Sequence, residues 1–142
     1  MRTWRVWLFS AVACAAYASH HLSHQELLKA NLEAMREAVT AQVADPQRAV
    51  RVNKAIDDLR EQLLSFDAAH RTYQSNVVAL NARPDATRAE FETLAENFGK
   101  ERIAFRNRVF ELHAEMIKAT TAEEWKGLYR YERNILAVSP EL

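Results

Sequence analysis

The chain has 142 residues, 49% of them hydrophobic and 27% charged, a length and balance that suit one globular domain and exclude a disordered chain. Lys and Arg together number 19 against 19 Asp and Glu, so no excess charge points to nucleic acid or anionic lipid as a partner. Only 2 glycines and 3 prolines interrupt a composition rich in Ala, Leu, Glu and Arg, which favours long helices with few turns.

The N-terminus is patterned as an export signal. Met1 to Arg5 form a short basic region, Val6 to Ala18 an uncharged and mainly apolar run, and Ala16-Tyr17-Ala18 places small residues at the alternate positions a signal peptidase accepts. The run is shorter than the roughly 20 residues needed to cross a bilayer. Residues 1–18 are therefore expected to be a cleaved signal peptide and 19–142 a single helical domain in the periplasm. The alternative is a lipoprotein anchored through Cys14, since Ala11-Val12-Ala13-Cys14 has the outline of a lipobox. Cys14 is the chain's 1 cysteine, so cleavage after Ala18 leaves neither disulfide nor thiol ligand. Loss of Arg2 and Arg5 also lowers 19 basic residues to 17 against 19 acidic ones, a net charge of −2.

Helix start signals divide the remainder into four. Ser23-x-x-Glu26 is a capping box that opens a first helix over 23–44, with an apolar stripe of Leu28, Leu32, Met35 and Val39. Asp45-Pro46 joins an N-cap residue to a proline at the first helical position and opens a second helix over 46–82. Its positions Val52, Ile56, Leu59, Leu63, Phe66, His70, Tyr73, Val77 and Leu80 alternate steps of four and three. Arg83-Pro84-Asp85 breaks the chain before a third helix over 85–119, in which Phe91, Ala95, Phe98, Arg102, Phe105, Val109, Leu112, Met116 and Ala119 repeat that spacing. A sustained period of 3.5 residues is a coiled-coil seam. The overlapping capping boxes Thr120-x-x-Glu123 and Thr121-x-x-Glu124 open a fourth helix over 121–137, with Trp125, Leu128, Glu132 and Ile135 on one face. The expected fold is all-α: four helices built on a long antiparallel coiled-coil-like hairpin, with two shorter helices burying their stripes on it or on a second subunit.

Two polar residues fall in the seams. A turn centred near residue 83 sets His70 level with Glu96 and Asn97, and Arg102 near Ser65 and Asp67; each is expected to find a polar neighbour and fix register. Gly99, in the middle of the third helix, suggests a kink or a close helix approach. Asp67-x-x-His70 is a single copy of a spacing that di-iron bundles use twice with two further glutamates, and the facing seam is Leu, Phe and Val, which argues against a di-iron site. Without a phosphate loop, a cysteine nucleophile or an acid–base pair, the sequence points away from an enzyme.

Transition-metal binding has some basis. A chain beginning Ser19-His20-His21 can wrap Cu(II) or Ni(II) in a plane of four nitrogens: its amine, two amides and the His21 imidazole. His20 and His24 are four apart and share a face if the first helix starts early, and His113 with Met116 forms an imidazole–thioether pair. Solvated histidines and a packed methionine account for the same residues without metal.

This layout resembles the Spy/CpxP group of periplasmic helical-hairpin proteins, including its nickel/cobalt-sensing branch. Leu22-Ser23-His24-Gln25-Glu26 and Ala119-Thr120-Thr121-Ala122-Glu123 are similar to the group's recurrent Leu-Thr-x-x-Gln, and His20/His24 and His113/Met116 to the sensor branch's ligand pairs. The resemblance implies a stress-response protein, non-enzymatic, that binds protein clients or a membrane-protein partner, with a homodimer as its form. Lys100, Arg102, Ile103, Phe105, Arg106 and Arg108 would then be its mixed basic and apolar client surface. The sensor branch implies instead a protein that binds Cu(II), Ni(II), Co(II) or Zn(II). A purely structural coiled-coil oligomer is a third expectation.

Overall fold

The computed structural model describes residues 25–138. Four helices follow one another: α1 over 25–42, α2 over Pro46–Asn81, α3 over Arg88–Lys118 and α4 over Ala122–Ala137, with no strand among the described residues. The fold is all-α, and α2 and α3 pack as an antiparallel hairpin. The segments read as a signal peptide, as a lipobox and as the Ser23 cap fall outside the described residues.

Each helix start has a local chemical cause. Asp45 caps α2 by accepting from the backbone NH of Arg48 at 2.9 Å, and Pro46 sits where its missing NH costs no hydrogen bond. The α3 start differs from the expected one by three residues. Thr87 is the N-cap: its hydroxyl accepts from the Glu90 NH at 3.4 Å, and the Glu90 carboxylate accepts from the Thr87 NH at 2.8 Å. Arg83 clasps the turn through Asp85 at 3.0 Å and Glu90 at 2.8 Å. Of the two overlapping boxes before α4, the chain uses Thr121 with Glu124, while the Thr120 hydroxyl donates back to the Met116 carbonyl at 2.9 Å.

Helix lengths decide where the core lies. At about 1.5 Å per residue, the 36 residues of α2 reach about 54 Å, more than twice the 16-residue α4. The short helices therefore cover only one end of the hairpin. There Leu28, Leu32, Met35 and Val39 of α1 meet Val52, Ile56, Leu59 and Leu63 of α2, Val109, Leu112 and Met116 of α3, and Leu128 and Ile135 of α4, all buried. Every apolar stripe expected for the short helices is buried, apart from a half-buried Trp125. Beyond Phe66 and Phe105 no described residue of α2 or α3 is buried, and the hairpin continues as a two-helix arm out to its turn.

The arm's seam departs from the expected one. Tyr73, Val77 and Leu80 on α2 and Phe91, Leu94 and Phe98 on α3 are half-buried, whereas Ala95 and Arg102 are exposed. Phe66 explains the loss of Arg102 from the seam. Its ring stacks on Phe105 at 4.2 Å and on Phe98 at 5.8 Å, filling the level between them. The later start of α3 moves the register as well, so that His70 stacks on Phe98 at 5.6 Å. Gly99 brings no close helix approach: a Cβ there meets nothing within 4 Å, and α3 runs through it unbroken.

Glu124 ties three helix ends together. It accepts from the Ala44 NH after α1 at 3.3 Å, from the Thr121 NH at 2.8 Å and from Arg48 of α2, whose second guanidinium nitrogen also donates to it at 2.9 Å. The Arg48 hydrogen bonds, followed by that of Thr121, lower its carboxyl pKa to about 2. A depressed carboxylate contributes stability above its unfolded value that is lost as pH falls towards 2. Glu124→Gln is therefore expected to lose less stability than the parent between about pH 5 and pH 2 in urea titrations, the parent showing the steeper acid decline. The two ends of the hairpin should also respond unequally to truncation. Leu112→Ala in the bundle should cost about 2–5 kcal/mol, and Leu80→Ala in the arm about 1 kcal/mol, by urea denaturation.

Candidate functional site

The chain's buried charge sits between α3 and α4. Glu132 is 2% exposed, and among the described residues it is the buried charged side chain. It takes a core position because α4 needs an apolar-facing residue one turn after Leu128 and one before Ile135, both fully buried. His113 on α3 compensates it: Nδ1 lies 2.8 and 2.9 Å from the two carboxylate oxygens. That geometry puts a proton on Nδ1, donated to the carboxylate. Trp125 meets the imidazole edge-on at 5.3 Å, closing one side of the pair. Burial raises the Glu132 pKa, and the hydrogen bond and charge of His113 act in the opposite sense. The imidazole is thus held in one orientation between a buried carboxylate and an indole.

This arrangement separates His113 from Met116. Met116 is fully buried in the core, and Nδ1 of His113 is committed to Glu132, so the structure does not bring thioether and imidazole to one open site. No group of three His, Cys, Asp or Glu side chains that could hold a metal ion occurs among the described residues. His20, His21 and His24 lie outside them.

The expected client surface also divides. Arg102, Ile103 and Arg106 are exposed on α3, and neither arginine has an ion-pair partner among the described residues. Lys100 is exposed and pairs with Glu96 at 2.7 Å. Phe105 does not belong to that surface, because it is buried against Phe66 where the bundle begins. Arg108 faces α2 and is engaged by Asp58 at 3.3 Å and Glu111 at 3.1 Å.

Two features escaped sequence reasoning. The His113–Glu132 pair joins residues 19 apart across a helix–helix turn, and its one sequence signal is a glutamate in an otherwise apolar stripe. The second is an outer stripe on α3: Ile103, Phe110 and Ile117 are 51%, 62% and 41% exposed and recur every seven residues. Searching the third helix for a second heptad, rather than stopping at the first, would have found it. No helix among the described residues is long and apolar enough to cross a membrane. Compared with family models, curated proteins and solved structures, the chain gives no significant match.

The buried pair makes a two-part prediction. A carboxyl whose pKa is raised by folding contributes stability below its unfolded value and loses it as pH rises through the folded one. Glu132→Gln should therefore gain in melting temperature relative to the parent as pH rises from about 4 to 7. His113→Ala, which strands the carboxylate, should cost about 1–3 kcal/mol at neutral pH and less in acid, where Glu132 holds its proton.

Proposed function

We propose that the chain is an exported helical-hairpin protein of the periplasm that acts by binding other proteins, as a chaperone or adaptor of the Spy/CpxP kind it resembles. The observation that supports this most is the unburied arm. Two helices alone cannot enclose a core, so Tyr73, Val77, Leu80, Phe91, Leu94 and Phe98 keep part of their apolar surface in contact with water. An extended segment that leaves aromatic and aliphatic surface half-covered is suited to transient apolar contact, and exposed cations at its base add attraction for acidic, unfolded segments. The basic and apolar N-terminal run supports the assignment to the periplasm.

An aggregation assay with a reduced, unfolding client tests the proposal. The purified chain at equimolar ratio should suppress light scattering. Lys100→Glu with Arg102→Glu, both at exposed positions, should reduce suppression severalfold at unchanged helical content. No suppression by the parent at a severalfold excess, or full suppression by the double variant, would count against it.

A further inference from the structure

We infer that the outer face shared by α3 and α4 docks on the surface of an anionic phospholipid bilayer. The two helices meet through His113, which lies 2.8 Å from Glu132 and edge-on to Trp125. Side chains three, four or seven positions from these residues share the flanks beside that contact. On α3 they are Arg106, Phe110 and Ile117. On α4 they are Tyr129 and, a further turn from it in either direction, Lys126 and Arg133; all six are exposed. The whole chain balances 19 basic residues with 19 acidic ones, but this face does not. Arg106, Lys126 and Arg133 have no ion-pair partner among the described residues. Arg130, four positions after Lys126, lies over the Tyr131 ring at 4.6 Å and donates to its hydroxyl at 2.7 Å, so it too meets no carboxylate. The acids of the same helix segments are engaged elsewhere. Glu111 and Glu115 pair with Arg108 on the α2 side at 3.1 and 3.6 Å, Glu124 belongs to the helix-end junction, and Glu132 is buried. Glu123, in the first turn of α4, stands at the margin.

The apolar members of the face decide what its cations meet. Phe110, Tyr129 and Ile117 are 62%, 50% and 41% exposed, so they project from a convex two-helix surface and do not line a groove. A folded protein partner has to supply a pocket for each of them, and a nucleic acid, which stacks on aromatic rings, has no use for the isoleucine. The interfacial zone of a bilayer gives way around such side chains. It takes rings and branched chains at headgroup depth while arginine and lysine extend to the phosphates. Charge complementarity agrees, because anionic lipid attracts each cation and no carboxylate within the face opposes it. The patch from Arg106 to Ile117 is about 17 Å long, which suits reversible attachment. Docking through this face leaves the α2–α3 seam of the arm in water, and the inference does not rest on the protein binding proposed above.

Co-sedimentation with vesicles tests the inference, using phosphatidylcholine with about 30% phosphatidylglycerol and phosphatidylcholine alone. The purified chain should bind the anionic vesicles at least about tenfold more tightly and lose most of that difference between about 50 and 500 mM salt. Lys126→Glu with Arg133→Glu should weaken binding at least about tenfold at unchanged helical content, and Phe110→Ser at least about threefold. Lys29→Glu with Arg60→Glu, the same change of net charge at exposed positions of α1 and α2, should stay within about twofold of the parent. The N-terminal run is common to every variant, so these differences read the face alone. In a Cys14→Ser background, a polarity-sensitive fluorophore on Tyr129→Cys should brighten with anionic vesicles, and one on Glu61→Cys, exposed on α2, should not. Equal binding to the two vesicle types, equal losses in the two charge-reversal pairs, or equal brightening at the two labelled positions would each overturn the inference. Binding lost with the cations but unchanged in Phe110→Ser would overturn it as well and assign the face to a soluble polyanion or an acidic protein.

Discussion

The mismatch in helix length governs this molecule. α2 and α3 face each other along a common seam, but α4 spans only 16 residues against their 36 and 31, and α1 is similarly short. A two-helix seam can half-cover its apolar side chains, and full burial needs neighbours on more sides. The core is therefore confined to the end where four helices overlap, and Phe66 with Phe105 marks its boundary. Everything beyond that level is an arm whose exposed apolar surface follows from geometry rather than from a change in sequence character.

Two polar devices hold the short helices at that end, and they work by different physics. Glu124 is a junction of backbone and guanidinium donors from three helix ends, and those donors keep it ionised down to about pH 2. Glu132 has traded water for the core and relies on one imidazole, so burial wins and its pKa rises. The first contributes stability across the neutral range. The second sets where α4 lies on α3 at an energetic cost that grows with pH, a balance known for buried charges that specify position more than they stabilise.

The architecture was legible because it depends on period and punctuation. Steps of four and three through Val52 to Phe66 and through Phe105 to Ala119 fall on buried positions, and the stripes of Leu28 to Val39 and Leu128 to Ile135 do the same. These positions needed only the 3.5-residue repeat. The arm was less legible, since one repeat continues through bundle and arm alike while burial does not. Arg102 was expected inside and is exposed, because Phe66 occupies the level it would have filled. The start of α3 was misplaced because Pro84-Asp85 is the louder signal, although Thr87-x-x-Glu90 is the one that satisfies the orphan backbone groups.

The sequence by itself determined the all-α class, the four helices, most of their caps and the inward face of each, since those follow from local hydrogen bonding and hydrophobic period. It also carried both heptads of α3, the inner and the outer. Only the tertiary structure decided which of those heptads is covered by this chain, that Phe105 and Met116 face inward while Ile103 and Phe110 face out, and that Glu132 meets His113. The physical reason is that burial belongs to the set of helices that overlap at a given level. A residue's own helix records which side it is on, and its neighbours alone decide whether that side is inside.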